Sequence, residues 1–305
     1  MAVETLTTPR TNLPNVYTNV QVDAIELAGR FEANLEALRA LMGIMRPIRK
    51  RPGTTLKRYT ASVTLENGNV PAGAVIPYSK ASLTQTGIEE ITLEKYATAT
   101  TIEEIAEYGA DIALEKKKAQ FVTELQNKIL TDFYTFLNGA TGLSDTATTW
   151  QAALAKAKGL VVDKFNRLRK TVTEVVGFAN VLDAYDYLAT ANITIQTAFG
   201  INYVKDFLGY STLFLLSDPD IAEGTVIAVP VENINEYYID PADGEFERGG
   251  LEYTTSGGDT NLIGFHMRGN YTTAVSELFA VMGVKLWAEI SDGIANVTVS
   301  AASGD

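Results

Sequence analysis

The chain has no cysteine and only one histidine among its 305 residues. Without cysteine it has no disulfide, no thiolate metal ligand and no cysteine nucleophile. A single histidine, His266, excludes a zinc site built from several histidines of one chain. A serine-histidine-aspartate triad would have to use His266 as well. Thiol chemistry and multi-histidine metal chemistry are therefore excluded from the functions of this chain.

The sequence also lacks the short motifs that mark nucleotide and hydrolase sites. It has no glycine-rich phosphate loop and no G-x-S-x-G nucleophile turn. Its adjacent acidic pairs, Glu89-Glu90 and Glu103-Glu104, diverge on a strand or a helix, so neither forms a two-carboxylate centre. We expect no enzyme activity, no cofactor and no metal. A soluble hydrolase whose two carboxylates come from distant positions stays an open alternative.

Long apolar runs are missing too. No stretch approaches the roughly 18–20 residues that a membrane helix needs. The polar start of the chain, MAVETLTTPRTNLPNVYTNV, lacks the apolar segment of a secretory signal. We expect a protein that is made and folded in a cytosol and has no membrane partner.

Positive charge is scarce. Lys and Arg number 25 against 37 Asp and Glu, which gives a formal net charge of −12. Such a surface repels nucleic acid on average, because phosphate binding depends on Lys and Arg. The exception is a basic segment at 46–53, RPIRKRPG, which is typical of a solvated connector. A site for an acidic partner is the alternative for this segment.

What the chain does contain begins with an arm and a helix. Residues 1–19 include two prolines and little apolar content, which predicts an extended arm. Residues 20–45 carry apolar side chains every three to four positions, which predicts an amphipathic helix.

A long hairpin follows at residues 54–100. Apolar and polar residues alternate before the turn signal Asn67-Gly68, and Ile91 and Leu93 alternate with polar residues after it. The segment between them is too rich in proline and glycine for a central strand. Because the apolar content is too low to bury both faces, and because an isolated hairpin is marginal in water, we expect another subunit to support it.

The clearest element is a helix over residues 101–138. Thr101 and Glu104 form a capping box at its start, and an apolar stripe follows at helical spacing. A helix of this length spans roughly 55 Å, with room for a bend at Gly109. Its lysine run at 115–120 is typical of a solvated face.

The rest of the chain alternates strands and helices and then ends in strands. Residues 150–169 predict a second amphipathic helix. Short apolar runs between 172 and 240, with a helical segment at 180–189, predict a compact α/β unit with a buried sheet. Strand-like segments follow the glycine-rich stretch 243–260.

His266 lies on the first of these closing strands. Phe265 and Met267 share one face of the alternating pattern, whereas Gly264, His266 and Arg268 share the other. We interpret His266 as a hydrogen-bonding surface or interface residue. A pH-sensitive contact is the alternative, since histidine titrates near neutral pH.

This order of elements resembles the major capsid protein of tailed bacteriophages, which has the Hong Kong 97-type shell fold. The segment 68–112 looks like the family's extended hairpin running into its spine helix. The segments 174–189 and 224–240 look like parts of its axial domain. The segment 262–294 looks like the closing part of its peripheral domain.

The resemblance implies an α+β fold with an N-terminal arm, an extended β-hairpin (the E-loop), a long spine helix in a peripheral domain, and an α/β axial domain. The implied divisions are the arm and helix at 1–52, the E-loop at 53–100, the peripheral domain with the spine helix at 101–170, the axial domain at 171–245 and the closing peripheral strands at 246–305.

The resemblance also implies a structural protein with no catalytic site. Such a protein assembles with itself as hexamers and pentamers into an icosahedral shell around double-stranded DNA, which it does not bind by sequence. The implied partners are scaffolding, portal and head-completion proteins, and the implied location is the virion capsid, assembled in the bacterial host cytoplasm. Because the chain begins at Met1 with a short polar arm, we expect a separate scaffolding protein or none. An encapsulin, the shell of a cellular nanocompartment, shares the fold and is the nearest alternative.

Cationic and aromatic residues of the basic segment, the hairpin and the His266 strand are predicted to contact neighbouring subunits. They are Arg49, Arg51, Lys57, Arg58, Tyr59, Tyr78, Lys80, His266 and Arg268.

Overall fold

The computed structural model describes residue 28 and residues 45–73, 75–189, 195–198, 201–231, 233–255 and 260–300. The predicted arm at 1–19 lies outside these residues. So does the predicted helix at 20–45, apart from Ala28, which is helical and buried, and Met45. None of the helices in the described ranges is long and apolar enough to cross a membrane.

A five-stranded sheet is built around one long strand near the end of the chain. This strand, β13, covers Val275–Ala288. Its antiparallel partners are β4 (Glu94–Thr101), β11 (Ile234–Ile239) and β12 (Ile263–Asn270).

The fifth strand of this sheet, β1, covers Met45–Lys50 and pairs parallel with β11 at the edge. The basic segment predicted as a connector is therefore partly an edge strand. Pro47 suits that position, because an edge strand leaves one row of N–H groups outside the ladder. The prediction was wrong because the strand depends on its distant partner β11, and no local alternation marks it.

A seven-stranded sheet forms the second layer of the fold. Its strands in spatial order are β5 (Leu143–Ala147), β14 (Ala295–Val299), β10 (Thr225–Pro230), β6 (Val175–Asn180), β9 (Tyr210–Leu216), β8 (Ile201–Phe207) and β7 (Gln196–Ala198). The sheet thus combines the predicted α/β unit with β5 and β14, which the resemblance assigned to the peripheral domain. The division of the chain into domains stays a prediction.

Two helices pack on the seven-stranded sheet, at the positions predicted for them. One, over Trp150–Arg167, buries Ala153, Leu154, Ala157 and Val161. The hydroxyl of Tyr210 in β9 donates a 2.7 Å hydrogen bond to the carbonyl of Leu154, which joins this helix to the sheet. The other helix covers Val181–Leu188, and a short helix at Gly244–Arg248 follows β11.

The predicted helix at 101–138 is two helices. The helix α1 covers Ile102–Tyr108 and α2 covers Ala110–Asn138. The helices at Trp150–Arg167, Val181–Leu188 and Gly244–Arg248 are α3, α4 and α5. Gly109 separates α1 from α2 with φ 81° and ψ 148°, a conformation that interrupts the helix and that glycine adopts at little cost. The capping box of Thr101 and Glu104 is confirmed. With 29 residues, α2 is about 43 Å long, shorter than predicted.

The C-terminal half of α2 joins the two sheets through one core. Leu125, Ile129, Phe133 and Leu137 form its buried stripe. This stripe belongs to a core that also includes aromatic residues of β6 and β9 and apolar residues of β12 and β13. Phe133, for example, meets Phe178 of β6 edge-on, with ring centres 5.8 Å apart. The helix therefore ties the seven-stranded sheet to the five-stranded one.

The lysine run of α2 was predicted to be a solvated face, but one of its lysines is buried. Lys118 is buried, and its ammonium lies 3.0 Å from the Oε1 of Glu115. The small cavity around it is lined by Thr98, Thr100 and Leu278 among others, from β4 and β13. The prediction failed because a lysine stem can cross an apolar surface while its charge finds a partner.

The third sheet is a two-stranded antiparallel hairpin of β2 (Thr55–Thr64) and β3 (Lys80–Glu90). The alternation at residues 90–94 predicted the second hairpin strand, and this prediction is wrong, because the strand lies earlier, at Lys80–Glu90. Ile91 and Leu93 lie in the link between β3 and β4. The real second strand is rich in Ser, Thr and Gln, so hydrophobic alternation does not reveal it.

Close packing between β6 and β9 predicts the effect of adding one methyl group. A Cβ at Gly177 would lie 2.8 Å from Leu213 Cδ1 and 2.9 Å from Tyr210 Cδ1. We expect Gly177→Ala to lower the free energy of unfolding by about 1–3 kcal/mol, measured by urea unfolding followed by circular dichroism.

Gly159→Ala is the matched control. Gly159 lies inside α3, and a Cβ there would meet nothing within 4 Å. We expect this variant to gain about 0.5–1 kcal/mol, because alanine favours a helix over glycine. Equal effects of the two substitutions would contradict the packing described for β6 and β9.

Candidate intersubunit surface

The hairpin is held to the body of the subunit at its base, which we call the hairpin root. Leu56 of β2 and Ile91 of the β3–β4 link pack against Ile239 of β11 and Trp287 of β13, and all four side chains are buried. Two of these residues come from the hairpin segment and two from the five-stranded sheet. The root therefore sets where the hairpin leaves the subunit.

Arg58 adds a polar and a stacking contact to the root. Its guanidinium carbon lies 4.2 Å from the centre of the Trp287 ring, and Nη2 donates a 2.8 Å hydrogen bond to the carbonyl of Ala288. Gly87, opposite Arg58, lies beside the indole: a Cβ there would be 3.7 Å from Cη2 of Trp287, an ordinary van der Waals contact. A stacked guanidinium and a charged hydrogen bond together contribute about 2–4 kcal/mol.

The ladder changes register just beyond the root. The shift lies between Arg58 and Tyr59, and such a bulge bends a strand and increases its twist. We call residues 59–85, beyond the bulge, the hairpin tip.

Large apolar side chains of the hairpin tip face solvent. Their exposed fractions are Tyr59 52%, Val63 60%, Leu65 79%, Val75 89%, Ile76 71%, Tyr78 96% and Leu83 70%. Scattered exposed apolar residues are ordinary, but a group of them on one projecting element indicates an interaction surface.

The segment that joins the two strands is irregular, as its prolines and glycines predict. Main-chain and side-chain bonds shape it locally: the amide of Asn69 donates to Oδ1 of Asn67 at 3.0 Å, and the amide of Glu66 donates to the hydroxyl of Ser79 at 3.3 Å. The first of these is an Asx turn made by the side chain of Asn67. The hairpin turn predicted at Asn67-Gly68 is wrong, because neither residue has a positive φ and the hairpin strands end at Thr64 and resume only at Lys80.

The predicted contact residues of the hairpin differ in their surroundings. The side chains of Lys57, Tyr59, Tyr78 and Lys80 are exposed. Arg58 is half-buried and bound within its own subunit. Contact of these residues with a neighbouring subunit stays a prediction.

Of the two predicted residues in the basic segment, Arg49 of β1 lies beside the acidic turn after β11. Arg49 Nη2 lies 3.2 Å from Asp240 Oδ2 and 3.6 Å from Asp243 Oδ2. Arg51 is exposed, and its carbonyl accepts a 2.6 Å hydrogen bond from the hydroxyl of Thr54. A role of either residue between subunits stays a prediction.

His266 lies on the outer face of β12. Phe265 points into the core from the same strand, while His266 and Arg268 are exposed, as the alternation predicts. Arg268 Nε lies 2.7 Å from Glu277 Oε2 and its guanidinium carbon lies 5.1 Å from the centre of the Phe279 ring. The surroundings of His266 are those of a surface strand.

Sequence reasoning missed Trp287 and a second exposed apolar group. Nothing near Trp287 in the sequence points to the hairpin, because the contact joins opposite ends of the chain. The second group lies around α1, where Ile102, Tyr108 and Ile112 are each 56% exposed and Tyr271 of the β12–β13 turn is 98% exposed.

A cavity of about 230 Å³ lies between α2 and β13. Two carboxylates line it, Glu94 and Asp132, and both pair with Lys128, which lies 3.6 Å from Glu94 and donates to Asp132. This network supports the contact between α2 and β4. Within the described ranges, no group of three His, Asp or Glu side chains is placed to hold a metal ion.

The hairpin root predicts how substitution of Arg58 affects local opening. We expect Arg58→Ala to speed amide hydrogen exchange at residues 55–58 and 87–90 by about tenfold or more, because it removes the stack and the bond to Ala288. Hydrogen exchange with mass spectrometry measures the change. Lys57→Ala, at the exposed neighbouring position, is the control and should leave the rates unchanged. Equal exchange in both variants would contradict the role given to Arg58.

Glu277 predicts a pH-dependent contribution to stability. Hydrogen bonds from Asn270 and Arg268 lower the pKa of its carboxyl. In the unfolded chain the pKa of a glutamate carboxyl is about 4.3, and the lower pKa in the folded state means that ionised Glu277 stabilises the fold above this pH. This stabilisation is lost as the pH falls through the folded-state pKa.

We therefore expect the stability difference between the native chain and Glu277→Gln to be constant above about pH 5 and to shrink below it. Urea unfolding across this range measures the difference. Arg268→Gln, which removes one of the two contacts, should reduce the pH-dependent part. A difference that stays constant down to about pH 3 would contradict the assignment.

Comparison with known proteins bears on the fold. No protein-family model and no curated protein sequence matches the chain. The mature capsid of bacteriophage PhiM1 aligns with a TM-score of 0.54 at 7% identity, over 85% of this chain and 86% of that one. The capsid of cyanophage P-SCSP1u aligns with a TM-score of 0.53 at 8% identity, over the same shares of 85% and 86%.

A cellular shell aligns as well. The encapsulin SrpI of Synechococcus elongatus PCC 7942 has a TM-score of 0.51 at 10% identity, over all of this chain and 94% of that one. At such low identities the likeness concerns the fold alone. The chain has the α+β Hong Kong 97-type fold that the resemblance implied.

Proposed function

We propose that the chain is the major capsid protein of a tailed phage. It assembles with itself as hexamers and pentamers into an icosahedral shell that encloses double-stranded DNA. The shell is the virion capsid and is assembled in the cytoplasm of the bacterial host. The chain acts as a structural protein and not as an enzyme.

The observation that carries the proposal is the hairpin tip. It projects beyond a well-packed root, and its Leu65, Val75, Ile76 and Tyr78 are between 71% and 96% exposed. Burying a side chain of this size contributes about 1.5–3 kcal/mol. A neighbouring subunit that covered the tip would therefore gain several such contributions, enough to drive association.

The charge of the chain suits a shell around DNA. With a net charge of −12, the surface as a whole repels phosphate. A wall that bound DNA tightly would oppose its packaging and its release. The proposal therefore includes no sequence-specific DNA binding. Scaffolding, portal and head-completion proteins are the further partners it implies.

An encapsulin shell is the second candidate, and the alignment with SrpI over the whole chain favours it. The two candidates differ in what the particle contains. A phage capsid encloses DNA, whereas an encapsulin encloses a protein cargo. The nucleic-acid content of purified particles separates them.

Electron microscopy of the purified chain, alone and with a candidate scaffolding protein, tests assembly. We expect closed shells or rings of capsomers. A variant in which residues 60–85 are replaced by a short Gly-Ser turn keeps Leu56 and Arg58 of the root, so we expect it to fold as a subunit and to form no shells.

His266→Gln is the control for this experiment. It replaces the exposed imidazole outside the hairpin with another hydrogen-bonding side chain, so a polar contact made at this position is kept and assembly should stay intact near pH 7. Normal shells from the shortened variant would overturn the role of the hairpin. A monomer under every condition, which the hydrolase alternative predicts, would overturn the proposed function.

A further inference from the structure

We propose that Asn67, in the segment between β2 and β3, is a site of spontaneous deamidation. The main-chain nitrogen of Gly68 attacks Cγ of the Asn67 side chain, and the side-chain amide is converted to a carboxylate. Three observations carry the proposal: an unbonded nucleophile, a hydrogen-bond donor placed on the reacting carbonyl, and open space around both. The reaction needs only the subunit, so it does not rest on the proposed function.

The reaction consumes water and releases ammonia. The nitrogen of Gly68 forms a bond to Cγ of Asn67, the bond from Cγ to Nδ2 breaks, and the proton of the Gly68 amide leaves with Nδ2 as ammonia. The product is a succinimide ring. Water then opens the ring at either carbonyl, which gives aspartate in a normal main chain or isoaspartate with the main chain routed through the side chain.

The nucleophile is the amide nitrogen of Gly68. Within the described ranges this amide makes no hydrogen bond, whereas the carbonyl of the same residue accepts one of 3.1 Å from the amide of Val70. Glycine has no side chain to shield its nitrogen, and a Cβ at Gly68 would meet nothing within 4 Å. The main chain at Gly68 can therefore change its dihedral angles and bring the nitrogen onto Cγ of Asn67.

The electrophile is the side-chain carbonyl of Asn67, which is exposed. The amide of Asn69 donates a 3.0 Å hydrogen bond to its Oδ1. Negative charge develops on this oxygen when the nitrogen adds to Cγ, and a donor already in place at a developing charge lowers the barrier. Because the site is exposed, water also reaches the ring for the second step.

Asn69, two residues further along the same segment, is also exposed but lacks this arrangement. Its nucleophile would be the amide of Val70, which donates its proton to the carbonyl of Gly68. Val70 is β-branched, so its side chain crowds the amide. Exposure alone would make the two asparagines alike, whereas the geometry makes Asn67 the reactive one.

The other Asn-Gly pair of the sequence, Asn138-Gly139, is held at the end of α2. Nδ2 of Asn138 donates a 2.7 Å hydrogen bond to the carbonyl of Asp220, and the amide of Gly139 donates one of 3.0 Å to the carbonyl of Thr135. Both reacting groups must give up a bond before the attack. We expect these two bonds to slow the reaction by about tenfold or more.

Deamidation changes the charge of the hairpin tip. The tip carries one acidic residue, Glu66, and one basic residue, Lys80, so a new carboxylate at position 67 leaves it with a net negative charge. A charge on this surface costs free energy when a neighbouring subunit covers it. An unassembled subunit therefore loses competence for assembly as it ages, a consequence that does rest on the proposed function.

Peptide mass spectrometry of the full unassembled chain, incubated at mildly alkaline pH, tests the proposal. We expect Asn67 to be converted about tenfold or more faster than Asn69 and Asn138. Because the reaction passes through a succinimide, the product at position 67 should contain isoaspartate as well as aspartate. Equal conversion at the three positions, or aspartate without isoaspartate, would overturn the proposal.

Two substitutions separate the chemistry from the exposure of the segment. Gly68→Ala places a methyl group in open space, at a φ that alanine can adopt, so the segment should keep its shape. The methyl group shields the nitrogen, and we expect the conversion of Asn67 to slow by about tenfold or more. Asn67→Gln keeps an amide at the position but would have to form a larger ring, so it should resist conversion. An unchanged rate at Asn67 in Gly68→Ala would overturn Gly68 as the nucleophile.

Fresh and aged protein are then compared by electron microscopy for the shells that each forms. We expect the native chain to lose more of its shells on ageing than Gly68→Ala, each measured against its own fresh sample. Deamidated subunits that assemble as well as fresh ones would overturn the consequence for assembly and leave the modification site standing. A chain that never assembles but is converted at Asn67 would overturn the proposed function and not the site.

Discussion

The contact of Arg58 with Trp287 and Ala288 is the interaction on which the outer surface of this subunit depends. It joins residues 230 positions apart, and it lies where the hairpin leaves the five-stranded sheet. Because β13 carries Trp287 and also pairs with β4, β11 and β12, the same strand organises the sheet and orients the hairpin. The tip can project with apolar side chains in solvent only because its base is held by buried contacts.

The second constraint is the shared core along α2. Its buried stripe contacts residues of both sheets, so neither sheet closes its hydrophobic face without the helix. The helix α2 begins after Gly109. On the other side of this glycine lies α1, whose residues are all at least partly exposed. The Lys117 ammonium lies 2.6 Å from Glu104 and lowers the pKa of that carboxyl, which ties α1 back to α2 across the break. The subunit thus has a rigid centre and two projecting elements, the hairpin tip and the α1 end, with exposed apolar side chains.

Much of this architecture could be predicted from local patterns. The helical stripes of α2 and α3, the capping box at Thr101, and the alternation around His266 all reflect one buried face, which the spacing of apolar residues encodes directly. The order of these elements carried the resemblance to the Hong Kong 97-type fold, and the structure has that fold. The second hairpin strand was misplaced because its Ser- and Thr-rich sequence has no buried face of its own. Burial of Lys118 and the strand β1 were missed because each depends on residues far along the chain.

The sequence by itself determined which chemistries are excluded, where α2, α3, α4 and many of the strands lie, and that the hairpin has few apolar residues to bury. Those properties follow from composition and from the period of a single segment. Only the tertiary structure decided that Trp287 receives Arg58, that β14 completes the seven-stranded sheet beside β5, and that the tip stays exposed while the root is buried. The physical reason is that the choice of a distant partner depends on shape and burial across the whole chain, which no local pattern contains.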